Sequence, residues 1–315
     1  MKITVLDKIS FTIGDIDLSL IDELGRVEYY DVLPKEELFR VLAETEIVVC
    51  NKTLFDKELI DKCKKLKYIG LTATGYNNVD LEYAKLKGIT VTNVPNYSTV
   101  DVAQHVFAFI LNYSNKISEY DQSVKDGNWI KSKTFCYFDK PIIELYGKTL
   151  GIVGFGNIGK KVAEIASAFG MNVLVYTRTK RQIPYKTVSK EELFRESDFI
   201  TLHCPLNKET ERLVNAETLS YMKKTAVLIN TSRGGVIDEI ALKEALLSGK
   251  IAHAMLDVLS EEPMSKKCPL LNLNNVTFTP HVAWAPKETR QRLINLVAGN
   301  ISSYIKGKAV NVVNK

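Results

Sequence analysis

The sequence predicts an α/β protein built from two doubly wound parallel sheets, and three patterns predict it. Short apolar runs alternate with helix-period segments along most of the chain, and such alternation implies parallel strands joined by crossover helices. A glycine cluster near the middle, GFGNIG, separates two such series. At 315 residues and 45% hydrophobic content, the chain is long and apolar enough for two cores.

In the first series the runs Ile3–Leu6, Val27–Tyr30, Ile47–Cys50, Tyr68–Leu71 and Ile89–Thr92 read as strands. Lys35–Ala43 and Asp56–Cys63 are polar segments of helical period between them. One long helix is expected from Thr99 to about Asp121, with Asp101 near its start and Val102, Val106, Phe109, Ile110 and Tyr113 on one side. Residues 127–146 then read as an irregular arm rich in aromatics, including Trp129, Phe135, Tyr137, Phe138 and Tyr146. Exposed arms with so many rings often bury them against a partner subunit.

The second series opens on the glycine cluster. Leu150–Val153 is apolar enough for a buried parallel strand, and Val162, Ile165, Ala166 and Phe169 recur at helical spacing beyond it. Gly154 would permit the tight turn, Gly156 the approach of a phosphate to the backbone, and Gly159 the close packing of helix on strand. The helix start at Asn157 and Ile158 would point N–H groups and a positive dipole end at that anion. This is the residue pattern of a dinucleotide site on a Rossmann sheet. Strands are expected at Val173–Tyr176, Phe199–Leu202, Ala226–Asn230, His253–Leu256 and Val276–Thr279, which with Leu150–Val153 makes six. Lys287–Tyr304 has a helical period but no strand to feed, so it is expected to return to the first domain. The division follows: residues 1–98 with 287–315 form a substrate domain, and residues 99–286 a dinucleotide-binding domain inserted into it.

An NAD-selective site usually carries an acid about twenty residues beyond the glycines, on the ribose 2′-hydroxyl. Here that strand is followed by Thr177, Arg178, Thr179, Lys180 and Arg181, with no carboxylate. A hydroxyl beside cationic side chains suits a 2′-phosphate, which favours NADP(H) within the NAD(P)(H) class. The alternative is a solvated basic turn with loose cofactor choice.

Composition narrows the class. Five cysteines with no CxxC pair point to a reducing cytoplasm and to space-filling thiols. The start of the chain has no signal-peptide pattern, and the most apolar stretch, Val102–Leu111, is too short to span a bilayer. The net charge of +5 is spread over short lysine pairs, so nucleic acid is not expected as a partner. No His/Cys/Asp cluster has metal-ligand spacing, so no metal is expected. His105 and His253 read as satisfied core residues, and His203 as structural.

Three ionisable residues each stand just past an apolar strand: Arg233 after VLINTS, Glu262 after MLDVLSE and His281 after VTFTP. Open α/β sheets collect active sites at such strand ends. At this point the chain closely resembles the D-isomer-specific 2-hydroxyacid dehydrogenase family, through GFGNIG, HCPLNKETERLV, NTSRGGVIDEIAL, LDVLSEEP, TPHVAWA and, earlier, ATGYNNVDL. The resemblance covers essentially the whole chain.

The resemblance implies a Rossmann cofactor domain inserted into a flavodoxin-like substrate domain, a homodimer formed through the cofactor domains, and reversible hydride transfer to a small 2-oxo acid. His281 would be the general acid, beside the nicotinamide, and Glu262 would hold its other nitrogen and favour the protonated ring. Arg233 would grip the substrate carboxylate with a planar fork. The backbone at Thr74, Gly75 and Tyr76 would be a second carboxylate grip. Thr231, Ser232 and Asp257 would lie near the nicotinamide, and Cys204 and Pro205 along the cofactor path. Trp284, where the family often has glycine, would narrow the pocket to a substrate such as hydroxypyruvate or glyoxylate. A D-lactate or other 2-oxo-acid reductase is the alternative within the family. A non-catalytic dinucleotide sensor, like the family's corepressor relatives, is the alternative of another class.

Overall fold

The computed structural model describes residues 1–178 and 182–315. The chain forms two compact units, Met1–Ser98 with Trp284–Lys315, and Thr99–Ala283. The chain thus re-enters the first unit at Trp284.

In the first unit, β1 (Lys2–Val5), β2 (Arg26–Tyr29), β3 (Ile47–Cys50), β4 (Tyr68–Leu71) and β5 (Thr90–Thr92) form one parallel sheet. Its order, β2-β1-β3-β4-β5, is the flavodoxin-like one. Every residue of β3 and β4 is buried, as central strands covered on both faces require. Alternate residues feed opposite cores: Val48, Ile69 and Val91 one, Ile47, Val49 and Tyr68 the other. The first is closed by α2 (Lys35–Leu42), α3 (Lys57–Lys62) and α4 (Leu81–Leu86), which follow the short α1 (Ser19–Asp22). The second is closed by the C-terminal helix Lys287–Ile305, through Leu293, Ile294, Val297 and Ile301. Asp56 and Asp80 cap α3 and α4 with their carboxylates.

The second unit begins with α5 (Thr99–Asn115) and α6 (Ile117–Lys125). The sequence predicts one helix here; the structure breaks it at Lys116, which is left-handed (φ 54°). That residue cannot continue a right-handed helix, and apolar periodicity alone does not reveal the break. β6 (Thr149–Val153), α7 (Asn157–Ala168), β7 (Asn172–Tyr176), β8 (Lys186–Thr187), α8 (Lys190–Glu196), β9 (Phe199–Leu202), α9 (Ala216–Tyr221), β10 (Val227–Asn230), α10 (Glu239–Leu247), β11 (His253–Leu256) and β12 (Val276–Phe278) follow. The sheet is parallel and, among the described residues, has seven strands, in the order β12-β11-β10-β9-β6-β7-β8. The sequence predicts six. The seventh, β8, is a two-residue exposed edge strand, Lys-Thr, with no apolar pattern to announce it. The strand order reverses beside β6 and β9, so the carboxyl ends of these strands flank the topological switch point. Residues 127–146 contain no helix or strand, and Ile130, Phe135 and Phe138 are almost wholly exposed along them.

Candidate active site

The glycine turn after β6 shows two of the roles its spacing implies, the tight turn and the close helix packing, and leaves open space where the third would act. Gly154 is left-handed (φ 93°), and a Cβ there would lie 2.7 Å from the His203 carbonyl. Both backbone shape and space therefore demand glycine. Gly156 caps the N-terminus of α7 without a side-chain bond, and a Cβ there would meet nothing within 4 Å. A Cβ on Gly159 would collide with the Gly154 carbonyl oxygen, so this residue sets how closely α7 lies to β6. Open space at Gly156, with Asn157 and Ile158 opening a helix directly behind it, fits a pyrophosphate.

The remaining residues of that edge follow the strand ends in order. Thr177 and Arg178 follow β7; Arg178 is exposed and its guanidinium pairs with Glu209. Thr179, with Lys180 and Arg181, lies outside the described residues. Cys204 and Pro205 follow β9; burial pushes the Cys204 thiol up to about 11, so it is no ready nucleophile. The Pro205 carbonyl accepts from Thr210 Oγ1 at 2.5 Å, which closes the local turn. Thr231 follows β10, and its buried Oγ1 has no partner among the described residues. An orphaned buried hydroxyl at this edge is a second observation that fits a bound dinucleotide.

Asn230, buried at the end of β10, shapes the loop that carries Arg233. Its Oδ1 accepts from Ser232 N (3.0 Å) and Ser232 Oγ (2.9 Å), while its Nδ2 donates to the Arg233 carbonyl (2.9 Å). Sequence reasoning misses this residue; the available signal is a polar side chain closing an otherwise apolar strand, VLIN. Arg233 is extended and exposed, with Nη1 2.7 Å from the Ser232 carbonyl. A Cβ on the next residue, Gly234, would collide with the backbone of Leu259 and Ser260. That glycine therefore brings the Arg233 loop against the loop that carries Glu262.

Glu262 Oε1 accepts from the Leu259 amide at 3.0 Å, and its Oε2 lies 2.7 Å from His281 Nδ1. Each of the two side chains keeps 29% of its surface exposed. His281 is left-handed (φ 54°), an unfavourable conformation for a residue with a Cβ. Asp257 holds that turn. Its buried carboxylate accepts from Thr279 Oγ1 (2.5 Å), Val282 N (2.9 Å) and Ala283 N (3.0 Å), and its carbonyl from His281 N (2.8 Å). The structure thus engages the Asp257 side chain inside the protein fold.

The other histidines have partners. His105 Nε2 lies 3.0 Å from Thr279 Oγ1, His203 Nε2 2.9 Å from Thr201 Oγ1, and His253 Nε2 2.9 Å from Thr277 Oγ1. Among the described residues, no group of three or more His, Cys, Asp or Glu side chains could hold a metal ion.

In the first unit, the loop after β4 carries Thr74, Gly75 and Tyr76. Thr74 Oγ1 donates to the Val94 carbonyl (2.9 Å), and Asn93 Nδ2 donates to the Thr74 carbonyl (2.7 Å). Among the described residues, the amides of Thr74, Gly75 and Tyr76 make no backbone–backbone hydrogen bond. Asp7, which sequence reasoning also misses, is left-handed and buried after β1. Its carboxylate accepts from the Asn51, Lys52 and Thr53 amides at 2.8–2.9 Å and so orders the loop after β3. Trp284 packs edge-on against Tyr97, with ring centroids 6.2 Å apart, and sits on the core of this unit.

Residues 107–283 match the family model described as D-isomer specific 2-hydroxyacid dehydrogenase, NAD binding domain. The chain belongs to the D-isomer-specific 2-hydroxyacid dehydrogenase family. It is therefore an NAD(P)-dependent oxidoreductase acting on CH–OH donors, with a Rossmann domain as its second unit. A hydroxypyruvate reductase from Blautia hydrogenotrophica is 42% identical over the full length of both chains. A Thermus thermophilus protein of known structure superposes with a TM-score of 0.90 at 36% identity, covering 99% of this chain and all of the other. An acyclic imino acid reductase, solved with NADPH and D-Arg, superposes with a TM-score of 0.87 at 38% identity, covering 99% of this chain and all of that one. No helix among the described residues of this family member is long and apolar enough to cross a membrane.

Proposed function

We propose that this dehydrogenase reduces a small 2-oxo acid of the hydroxypyruvate or glyoxylate size, with His281 as proton donor, and prefers NADP(H). The observation that carries the reading is the 2.7 Å contact of His281 Nδ1 with Glu262 at the carboxyl edge of the second sheet. With Nδ1 engaged, Nε2 is the nitrogen free to protonate a carbonyl oxygen. Glu262 fixes the ring orientation and stabilises the charge the ring carries before transfer. A dinucleotide held by its pyrophosphate at the glycine turn would supply the hydride from its reduced nicotinamide. Arg233 would meet the substrate carboxylate and the developing charge on the carbonyl oxygen. The amides at Thr74–Tyr76 would be a second carboxylate grip, and Trp284 would limit substrate size. Thr231, Ser232, Cys204 and Pro205 would line the dinucleotide path, and Thr177 and Arg178 would meet the 2′-phosphate. The substrate reading has support in the full-length similarity to a hydroxypyruvate reductase.

The exposed rings of residues 127–146 support a homodimer in which the arm is covered by a second copy. Five unpaired cysteines support a reducing, cytoplasmic setting. The test is the loss of absorbance at 340 nm with NADPH and hydroxypyruvate, glyoxylate or pyruvate in turn. Turnover fastest on the first two supports the assignment. Turnover only when an amine is added to the 2-oxo acid would move the substrate to imines and overturn it.

A further inference from the structure

The left-handed turn at His281 needs an explanation beyond the Glu262 contact. Such a conformation is unfavourable for a residue with a Cβ and persists only where the surroundings over-determine it. Asp257 supplies part of that constraint, through three donors to its carboxylate and one to its carbonyl. A further contact comes from α5, distant in sequence. His105 lies on the inner side of that helix with its ring edge-on to Phe109, 4.6 Å between centroids. Its Nε2 is 3.0 Å from Thr279 Oγ1.

Proton count fixes the direction of this chain. The 2.5 Å separation between Thr279 Oγ1 and Asp257 Oδ1 requires one hydrogen between two oxygens, and the threonine hydroxyl supplies it. The hydroxyl then offers only lone pairs to His105, so His105 donates from Nε2. A protonated Nε2 on a ring whose titration burial pushes down, against the opposing pull of Asp257, is the tautomer this arrangement selects. His105 thus donates to Thr279, Thr279 donates to Asp257, and Asp257 receives the amides of Val282 and Ala283 just beyond His281.

We propose that His105 is a positioning residue for the proton donor: through Thr279 and Asp257 it holds the left-handed turn that carries His281. This rests on His281 as the donor, and the bland alternative is a core histidine with a satisfied nitrogen. In His105→Leu the donor is lost at similar bulk, and kcat with NADPH and hydroxypyruvate should fall about tenfold to a hundredfold, the span a displaced catalytic group costs. The Kd for NADPH, read by protein fluorescence, should stay within about twofold of wild type, because the glycine turn is untouched. His105→Gln returns an N–H donor to nearly the same place and should restore most of kcat. Thr279→Val breaks the same chain at its next link and should reproduce the His105→Leu result.

Wild-type kcat in His105→Leu overturns the proposal. So does a loss of kcat that comes with an equal loss of NADPH affinity and is not relieved in His105→Gln, since that pattern marks general structural damage. His281→Ala separates the two readings. If His281→Ala retains activity, the donor assignment fails; if it is inactive while His105→Leu is normal, the positioning role alone fails.

Discussion

His281 Nδ1 and Glu262 Oε2 meet at 2.7 Å although 19 residues separate them in the chain. The Leu259 amide holds the other carboxylate oxygen at 3.0 Å, so the glutamate is itself oriented. Glu262→Gln keeps the shape but removes the charge opposite the ring. Its kcat should fall on the order of 10–10³-fold, with NADPH affinity retained. Steady-state kinetics with hydroxypyruvate, alongside a fluorescence titration of NADPH, measures both.

The glycine turn makes a differential prediction. Gly156→Ala should fold with wild-type Tm, because its Cβ meets nothing within 4 Å. It should still lose about tenfold or more in dinucleotide affinity if a phosphate lies there. Gly159→Ala should instead lower Tm, since its Cβ would collide with the Gly154 carbonyl. Thermal melts with and without NADPH distinguish the two.

Arg178 stands exposed and paired with Glu209, a contact that a 2′-phosphate would have to replace. Surface pairs of this kind contribute only about 0–1 kcal/mol, so the exchange is cheap. Arg178→Ala should raise KM for NADPH more than for NADH. Equal effects on the two cofactors would refute the clamp.

Stability should fall in mild acid. Burial pushes His203 down to about 3 and His253 to about 4, from an ordinary 6.5. The unfolded chain binds these protons below pH 6.5 and the folded one does not, so stability is complete above 6.5 and declines as pH drops towards 4. Asp15 contributes little in that window, because the unfolded carboxylate takes up its proton only near the ordinary 3.8; the stability that its Arg290 pair supplies is present above that pH and is lost only below it. His253→Gln should flatten the fall of Tm between pH 6.5 and 4.5, measured by calorimetry.

The aromatic arm predicts assembly. Wild-type protein should sediment at about twice the 35.4 kDa chain mass. Phe135→Asp combined with Phe138→Asp, two almost fully exposed rings, should shift it towards the single chain with Tm little changed.

Periodicity was sufficient for the two parallel sheets and glycine spacing for the tight turn after β6, while the strand-end motifs put forward Arg233, Glu262 and His281 as candidates. Apolar alternation and glycine spacing are local, and local patterns survive in one dimension. The broken helix at Lys116 and the edge strand Lys186–Thr187 were not legible, because a single left-handed residue and a two-residue polar strand leave no period. Nor were the supports of the site. Asn230, Asp7 and the chain from His105 to Asp257 act through hydrogen bonds between residues up to 174 positions apart. Which buried polar group faces which is decided only when the strands and helices pack, since any of them could be satisfied elsewhere in an unfolded chain. The sequence therefore determined which chemistry-bearing residues stand at the strand ends, and the tertiary structure decided which of them touch and what holds them there.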